Sequence, residues 1–194
     1  MPLAKKINKK YTRRDYLKWP DDERWEIIDG EACNMSPAPS TRHQRVGWNI
    51  KTVFIQNKEK LKDCIPFDAP ADVVFDEYNV VQPDIFIVCD KTLIKEQYIQ
   101  GAPDLIIEII SPNTELRDRR EKKKLYELFG IKEYILVNPD REYVERYVME
   151  NDKYSAPEIF NWDERLKLTT FDMELNLWEI FEKELPEEEE NAPR

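Results

Sequence analysis

A single charged residue inside an apolar strand constrains this sequence more than any other feature. The run Leu105–Ile110 is apolar apart from Glu108, as expected for a strand that is covered on both faces. An ionised glutamate in such a strand is costly unless it is paired or bound to a metal. The run therefore predicts a buried central strand whose glutamate has a partner. A Glu108 paired with an arginine, or lying at the strand end in water, would fit the same pattern.

Asp84 and Lys122 are the candidate partners of Glu108. Asp84 begins the preceding apolar strand, and two carboxylates at neighbouring strand positions form a hard oxygen site suited to Mg²⁺ or Mn²⁺. Lys122 shares one helical face with the apolar residues three, four and seven positions later: Leu125, Tyr126 and Phe129. We expect Lys122 to point inward and to pair with Glu108 or stabilise charge at a phosphate. A snorkelling lysine or a plain Glu–Lys pair is the alternative.

The distribution of apolar residues predicts an α/β (α+β) fold with a mixed central sheet flanked by helices. We predict helices over 11–19, 42–62 and 114–129, and strands over 25–31, 71–75, 80–88, 104–111, 134–137 and 143–149. Asp29-Gly30 indicates a hairpin turn, and Ser40 or Thr41 is suited to cap the second helix. After the N-terminal helix and hairpin, the order is helix, strand, strand, strand, helix, strand, which favours helices packed on both faces of the sheet.

Charge divides the chain into three parts. Of the net charge of −10, residues 1–18 carry +6, residues 181–194 carry −4 and the rest carries −12. We predict a basic arm with a short helix (1–24), one domain (25–180) and an acidic, disordered tail (181–194). An acidic body binds DNA poorly, so any DNA contact would depend on the arm, on the basic cluster at 117–124 or on a bound divalent metal.

Apolar runs and cysteines bear on the cellular compartment. No apolar run approaches the roughly 20 residues that span a bilayer, and the basic N-terminus lacks the apolar segment of a signal peptide. Cys33, Cys64 and Cys89 are odd in number and widely spaced, and they match neither a disulfide framework nor a zinc pattern. We therefore expect a cytoplasmic protein without a membrane segment.

Several sequence blocks around these residues occur together in a known family. They are WEIIDGE at 25–31, MSP at 35–37 with HQ at 43–44, QPD at 82–84, GAPDLIIEIISP at 101–112, DR at 118–119, then Lys122, Tyr126, Gly130 and IKEY at 131–134. In this order, over about residues 12–150, the sequence resembles the Uma family of restriction-endonuclease-like proteins within the PD-(D/E)xK nuclease superfamily.

The resemblance implies a restriction-endonuclease-like core and Mg²⁺- or Mn²⁺-dependent hydrolysis of phosphodiester bonds in DNA. It implies Asp84 and Glu108 as metal ligands, with the backbone carbonyl of Ile109 as a further ligand. The superfamily lysine expected two residues after the glutamate is Ile110 here, and Lys122 matches the helix position that other branches use. Enzymes of this type commonly pair to cut two strands, so the resemblance also implies a homodimer.

Glu26 and His43 are further candidates. Glu26 could order a metal-bound water, while His43 lies in the first turn of its helix, where it could hold a phosphate or a substrate proton, or merely pack. The sequence has no recognisable serine or cysteine nucleophile set. Two alternatives stay open: a nuclease fold that binds or assembles without cleaving, and a homodimer in which the Glu108–Lys122 pair is only architectural.

Overall fold

One long helix and many short strands make up the fold. In the computed structural model, which describes residues 10–20, 23–35 and 38–185, the first elements are α1 (Arg13–Tyr16), β1 (Trp25–Ile28), β2 (Glu31–Asn34), α2 (Thr41–Gln56), β3 (Ile65–Asp68), β4 (Asp72–Asp76), β5 (Asn79–Val81) and β6 (Ile85–Val88). The later elements are β7 (Tyr98–Gln100), β8 (Leu105–Ile109), α3 (Glu115–Arg117), α4 (Lys123–Leu128), β9 (Glu133–Asn138), β10 (Tyr143–Glu150), β11 (Lys153–Tyr154), β12 (Glu158–Asn161), β13 (Arg165–Lys167), β14 (Glu174–Asn176) and α5 (Leu177–Ile180). Short 3₁₀ turns cover Lys58–Leu61 and Lys91–Leu93.

The main sheet is built around β8. Its strand order is β11-β10-β9-β8-β6-β3, and β12 pairs with the first part of β10. β8 and β9 run parallel, whereas the pairs β8–β6, β6–β3 and β9–β10 are antiparallel. α2 covers one face of the sheet and α4 covers the other. The predicted mixed sheet flanked by helices is therefore confirmed.

Side chains of β8 alternate between two cores. Leu105, Ile107 and Ile109 pack in the core that contains α2, whereas Ile106 and Ile110 pack in the core that contains α4. All five are buried, and full burial of such a side chain is worth roughly 1.5–3 kcal/mol. Because side chains along a strand alternate with a period of two, Glu108 points to the α4 side.

α2 approaches β8 closely at Gly47. A Cβ added to Gly47 would lie 3.1 Å from Ile109 Cδ1, which is tighter than ordinary contact. The missing side chain lets the first half of α2 lie close against the sheet. His43, one turn earlier on the same helix, is brought near the end of β8 in this way.

The prediction for α2 was right at its start and wrong at its end. Ser40 is the N-cap, as expected, but the helix ends at Gln56 instead of continuing to residue 62. Asn57 donates both its backbone and its side-chain N–H to the preceding turn, and the 3₁₀ turn follows. Leu61, in that 3₁₀ turn, is still buried in the core. The helical spacing of apolar residues therefore continues past the end of the helix, which explains why the predicted helix was too long.

The predicted single strand over 80–88 was wrong. The segment forms β5 and β6, which belong to different sheets and are separated by Gln82-Pro83-Asp84. Pro83 has no N–H to donate to a strand ladder, which favours a break at this point. The break places Asp84 directly in front of β6, at the junction of the two sheets.

The second sheet has the order β2-β1-β5-β4-β7, with only β4 and β7 parallel. The hairpin predicted at Asp29-Gly30 joins β1 to β2, and both turn residues have positive φ. The predicted helix over 11–19 is shorter, since α1 covers only Arg13–Tyr16 after the N-cap Thr12. The segment that contains α1 packs on a small apolar cluster of this sheet, which is formed by Ile27, Val74 and Val80.

The cysteine prediction was wrong for two of the three residues. Cys64 and Cys89 are joined by a disulfide, while Cys33 is free. The two bonded cysteines flank the register pair Ile65–Val88 between β3 and β6. Because β3 was not predicted, the spacing of these cysteines offered no basis for placing them opposite each other.

The C-terminal part packs on the α2 side of the main sheet. β13, β14 and α5 contribute Leu166, Leu175 and Ile180 to that core, and Phe181 after α5 is also buried. Residues 186–194 of the predicted tail lie outside the described residues, so the division into arm, domain and tail stays a prediction. No helix of the described ranges is long and apolar enough to cross a membrane.

Candidate active site

Asp84 and Glu108 meet where β6 and β8 pair. The antiparallel register aligns Ile85 with Ile107, which places Asp84 beside the last two residues of β8. Asp84 Oδ2 accepts a hydrogen bond of 2.8 Å from the Ile109 N–H, and the Asp84 N–H lies 3.4 Å from Glu108 Oε2. Asp84 keeps a quarter of its side chain exposed, whereas Glu108 is buried. The predicted neighbouring carboxylates are thus brought together.

Lys122 reaches Glu108 from a π-helical turn over Asp118–Lys122, which joins α3 to α4. Its Nζ lies 2.9 Å from Glu108 Oε1 and 2.9 Å from Glu26 Oε1. Turns of this kind occur inside α-helices and often at functional sites. The helix predicted over 114–129 therefore contains an irregular turn, and Lys122 points into the core as the apolar stripe indicated.

Glu26 is fully buried in β1 and faces the same cluster. Its Oε1 accepts the backbone N–H of Gln82 at 2.9 Å, in addition to the contact with Lys122. Its Oε2 has no hydrogen-bond partner in the described part of the chain, and Arg117 Nη1 lies 4.0 Å from it. The sequence prediction singled out Glu26, and the structure places it next to Lys122.

His43 lies at the open side of the cluster. Its Nε2 is 3.3 Å from Asp84 Oδ2. Burial lowers the pKa of His43, but the contact with Asp84 and a hydrogen bond with the backbone of Ile109 outweigh it, and the net shift is upward. His43 therefore contacts two groups that are predicted to hold a metal: the carboxylate of Asp84 and the backbone of Ile109.

Two members of the cluster, Asp118 and Tyr126, were not among the predicted site residues. Tyr126 donates its hydroxyl to Glu108 Oε1 at 2.7 Å, and Asp118 Oδ1 lies 3.8 Å from Lys122 Nζ without a hydrogen-bond partner among the described residues. Asp118 lies four residues before Lys122 and Tyr126 lies four residues after it, so the three residues share one helical face. That spacing is a signal for both residues in the sequence, although for Tyr126 it also fits simple core packing.

The cluster holds more negative than positive charge. Burial raises the pKa of Glu108 to about 8. The nearby carboxylates also raise this pKa, whereas the ammonium of Lys122 lowers it. Burial likewise raises the pKa of Asp118 to about 6. Burial lowers the pKa of Lys122, but Glu108 and Glu26 raise it well above its usual value, so the ammonium stays charged. A further cation at this place would relieve the excess of negative charge.

A cavity of about 270 Å³ opens onto the cluster. Asp84, Glu108 and Lys122 line it together with Glu26 and His43. It is also bordered by the residues that follow β8, by the loop before α2 and by two arginines: Arg24 and Arg117. All five predicted side chains therefore border one cavity. Asp84 and His43 are its more exposed members, whereas Glu26, Glu108 and Lys122 are buried.

The donor set fits a hard divalent cation with few protein ligands. In the described ranges no three His, Cys, Asp or Glu side chains are grouped so as to hold a metal by themselves. Asp84, Glu108 and the Ile109 carbonyl nevertheless offer only oxygen donors, and Mg²⁺ often takes one or two carboxylates and keeps several waters. Glu26 Oε2 and Asp118 Oδ1 are buried and have no hydrogen-bond partner within the described ranges, which agrees with a polar or ionic occupant of the cavity.

A comparison with protein families matches residues 13–178 to a family described as "Uma2: Putative restriction endonuclease". The chain belongs to the Uma2 family. An uncharacterized protein of Synechocystis sp. is 26% identical over 147 residues, which are 74% of this chain and 76% of that protein. A crystal structure described as a "putative nuclease belonging to DUF820" from Anabaena variabilis has a TM-score of 0.73 at 21% identity, covering 88% of this chain and 97% of that one.

The Uma2 match includes every predicted site residue. The range 13–178 contains Glu26, His43, Asp84, Glu108 and Lys122, and the Anabaena structure shares the fold that brings them together. Membership of Uma2 supports a nuclease function in general terms.

Proposed function

We propose that this Uma2 protein is a divalent-cation-dependent endonuclease that hydrolyses phosphodiester bonds in DNA. The observation that carries the proposal is the meeting of Asp84, Glu108 and Lys122 at one cavity, from the segment before β6, from β8 and from the π turn before α4. A carboxylate pair beside a buried ammonium is the arrangement that metal-assisted attack on a phosphodiester needs.

Asp84, Glu108 and the Ile109 carbonyl would hold Mg²⁺ or Mn²⁺. When bound, such an ion supplies Lewis acidity at a phosphoryl oxygen and lowers the pKa of water. Asp84 is fixed for this task because the Ile109 N–H and His43 both contact its Oδ2. Glu108 is fixed by Tyr126 and Lys122 on its Oε1, which leaves Oε2 with only the long contact to the Asp84 N–H.

Lys122 provides the positive charge inside the protein. Two of its three ammonium protons are directed to Glu26 and Glu108, and Asp118 at 3.8 Å is too far away for a hydrogen bond. The remaining N–H donor can serve a phosphate oxygen on which negative charge develops. Glu26 then acts as a positioning residue for Lys122, and His43 acts as a positioning residue for Asp84.

The alternative is a nuclease fold that binds or assembles without cleaving. The observation in its favour is that Lys122 already offsets part of the charge of Glu26 and Glu108, while the described residues hold no three-ligand metal group. Titration calorimetry with Mn²⁺ separates the two functions. The enzyme proposal expects heat of binding that Asp84→Ala removes, whereas absence of heat at millimolar Mn²⁺ favours the alternative.

Cleavage of supercoiled plasmid DNA tests the proposal directly. We expect nicking or linearisation with Mg²⁺ or Mn²⁺, none with excess EDTA, and a loss of at least about 100-fold in Asp84→Ala. Asp163→Ala is the matched control, because Asp163 is exposed on the turn between β12 and β13. Cleavage that is equal in Asp84→Ala would come from a contaminant and would contradict the assignment. The same samples, analysed by sedimentation, test the predicted homodimer.

A further inference from the structure

Arg24 lines the cavity of the candidate site but contacts neither Asp84 nor Glu108 by a hydrogen bond or ion pair among the described residues. It directly precedes β1, where its backbone carbonyl accepts the N–H of Met35 at 3.0 Å. Its side chain is half-buried and lines the same cavity as Asp84 and Glu108. The position of the residue is therefore set by the β1–β2 hairpin, and its side chain is directed toward the site.

Gln82 holds the guanidinium of Arg24 from one side. Arg24 Nε and Nη2 donate to Gln82 Oε1 at 3.2 and 2.8 Å. The Gln82 amide is fixed in turn, because its Nε2 donates to Asp72 at 2.9 Å and to the hydroxyl of Tyr16 at 3.2 Å. A guanidinium carries five N–H donors, so three of those of Arg24 have no protein acceptor among the described residues. The group is thus oriented while most of its donors stay available.

Arg24 also differs from the other two cationic groups of the cavity in its charge balance. Lys122 is paired with Glu26 and Glu108, and Arg117 lies 4.0 Å from Glu26. Arg24 forms no ion pair within residues 10–20, 23–35 and 38–185, and its contact with Gln82 is to a neutral amide. Among the residues that the structure describes, its positive charge is therefore not paired with a carboxylate, and it lies at the edge of an acidic site.

We propose that Arg24, held by Gln82, binds a phosphate of the nucleic-acid backbone beside the one that is cleaved. This inference rests on the proposed function and names the residue that brings a polyanion to an acidic centre. A planar guanidinium with several free N–H donors matches phosphate oxygens in both charge and geometry. Without such a contact, the carboxylates at the cavity would repel the substrate.

The salt dependence of DNA binding tests the inference apart from catalysis. Fluorescence anisotropy of a labelled duplex is measured with Mg²⁺ over a series of salt concentrations, in an Asp84→Asn background so that cleavage is suppressed. Adding Arg24→Gln should weaken binding about tenfold and reduce the slope of log K against log salt by about 0.9, the value for one phosphate contact on duplex DNA. Arg24→Lys should keep the slope but recover only part of the affinity.

Two further variants make the outcome specific. Arg165→Gln is the matched control, because Arg165 is an exposed arginine that lines a different cavity, and its slope should not change. Gln82→Leu leaves the charge of Arg24 in place but removes its support, so it should lower affinity with an unchanged slope. Thermal unfolding of each variant shows whether the fold is kept.

The possible failures are distinguishable. If Arg24→Gln binds DNA with the parental affinity and slope while plasmid cleavage by the unsubstituted chain stands, the Arg24 assignment is overturned and the proposed function is not. If neither the Asp84→Asn protein nor the unsubstituted chain binds DNA and no cleavage is seen, the proposed function and the inference are overturned together.

Discussion

Lys122 Nζ and Glu108 Oε1 lie 2.9 Å apart in a region where neither side chain exposes more than 4% of its surface. The two residues come from the π turn before α4 and from β8, and Tyr126 adds a second donor to the same oxygen. Burying one of these charges alone would be strongly unfavourable. The fold therefore tolerates Glu108 in a central strand because the helix that covers the strand brings a cation to it.

Above pH 8, where Glu108 is ionised, replacing Lys122 by methionine should destabilise the protein by about 3–5 kcal/mol, because Glu108 and Glu26 would lose their buried cation. The double variant Lys122→Met with Glu108→Gln should recover part of that loss, since one of the two stranded carboxylates is removed. Urea unfolding followed by circular dichroism measures both changes. Lys123→Met, at the next and more exposed position, is the control. A loss below about 1 kcal/mol for Lys122→Met would contradict the buried pair.

The pH dependence of stability should carry the signature of Glu108. Its folded-state pKa, raised by burial to about 8, lies above the usual value of 4.5, and that of Asp118 is raised by burial to about 6 from 3.8. A group with a raised folded-state pKa contributes stability that is complete below the unfolded pKa and is lost as the pH rises through the folded one. The free energy of unfolding, measured in EDTA, should therefore fall between about pH 5 and pH 8. Glu108→Gln should flatten this fall; an equally steep fall in that variant would contradict the assignment.

Arg119 should be needed to hold the π turn in place. Its Nη1 lies 2.6 and 2.7 Å from the two carboxylate oxygens of Glu145 in β10, and Nη2 donates to the hydroxyl of Tyr143. Arg119→Met should cost about 3 kcal/mol, because it leaves the buried Glu145 without its cation. It should also lower DNA cleavage, because Lys122 lies in the same turn. Arg120→Met, the exposed neighbour, should change neither quantity, and equal behaviour of the two variants would disprove the anchoring role.

Gly47 should not tolerate a β-branched side chain. Its added Cβ would lie 3.1 Å from Ile109 Cδ1, so Gly47→Val should push α2 away from β8 and cost about 1–3 kcal/mol by overpacking. His43 would move with the helix, so the pKa of His43, measured by NMR, should fall toward its ordinary value as the contact with Asp84 weakens. Gln44→Val, on the exposed face of the same helix, is the control for placing a β-branched side chain in α2 without crowding β8. A Gly47→Val protein with unchanged stability and His43 pKa would show that the close approach is not required.

The sequence by itself determined the strongest local features of this protein. An apolar run interrupted by one carboxylate predicted a central strand with a partnered Glu108, because few other arrangements remove the cost of that charge. The helical period of apolar residues then separated Lys122 from the neighbouring lysines. The mixed sheet flanked by helices followed from the order of these elements, and its confirmation shows that local periodicity was sufficient for the fold class, though not for the division of the strands between two sheets.

Only the tertiary structure decided how these residues meet. Whether β5 and β6 form one strand or two depends on which sheet each joins, and that choice places Asp84 beside Glu108. The π turn brings Asp118 and Lys122 into one cluster, and the long-range ion pair of Arg119 with Glu145 stabilises this turn. The disulfide between Cys64 and Cys89 and the support of Arg24 by Gln82 likewise join residues that are distant in sequence. Pairing between distant segments leaves no periodic trace in either of them, so residue spacing alone cannot reveal it.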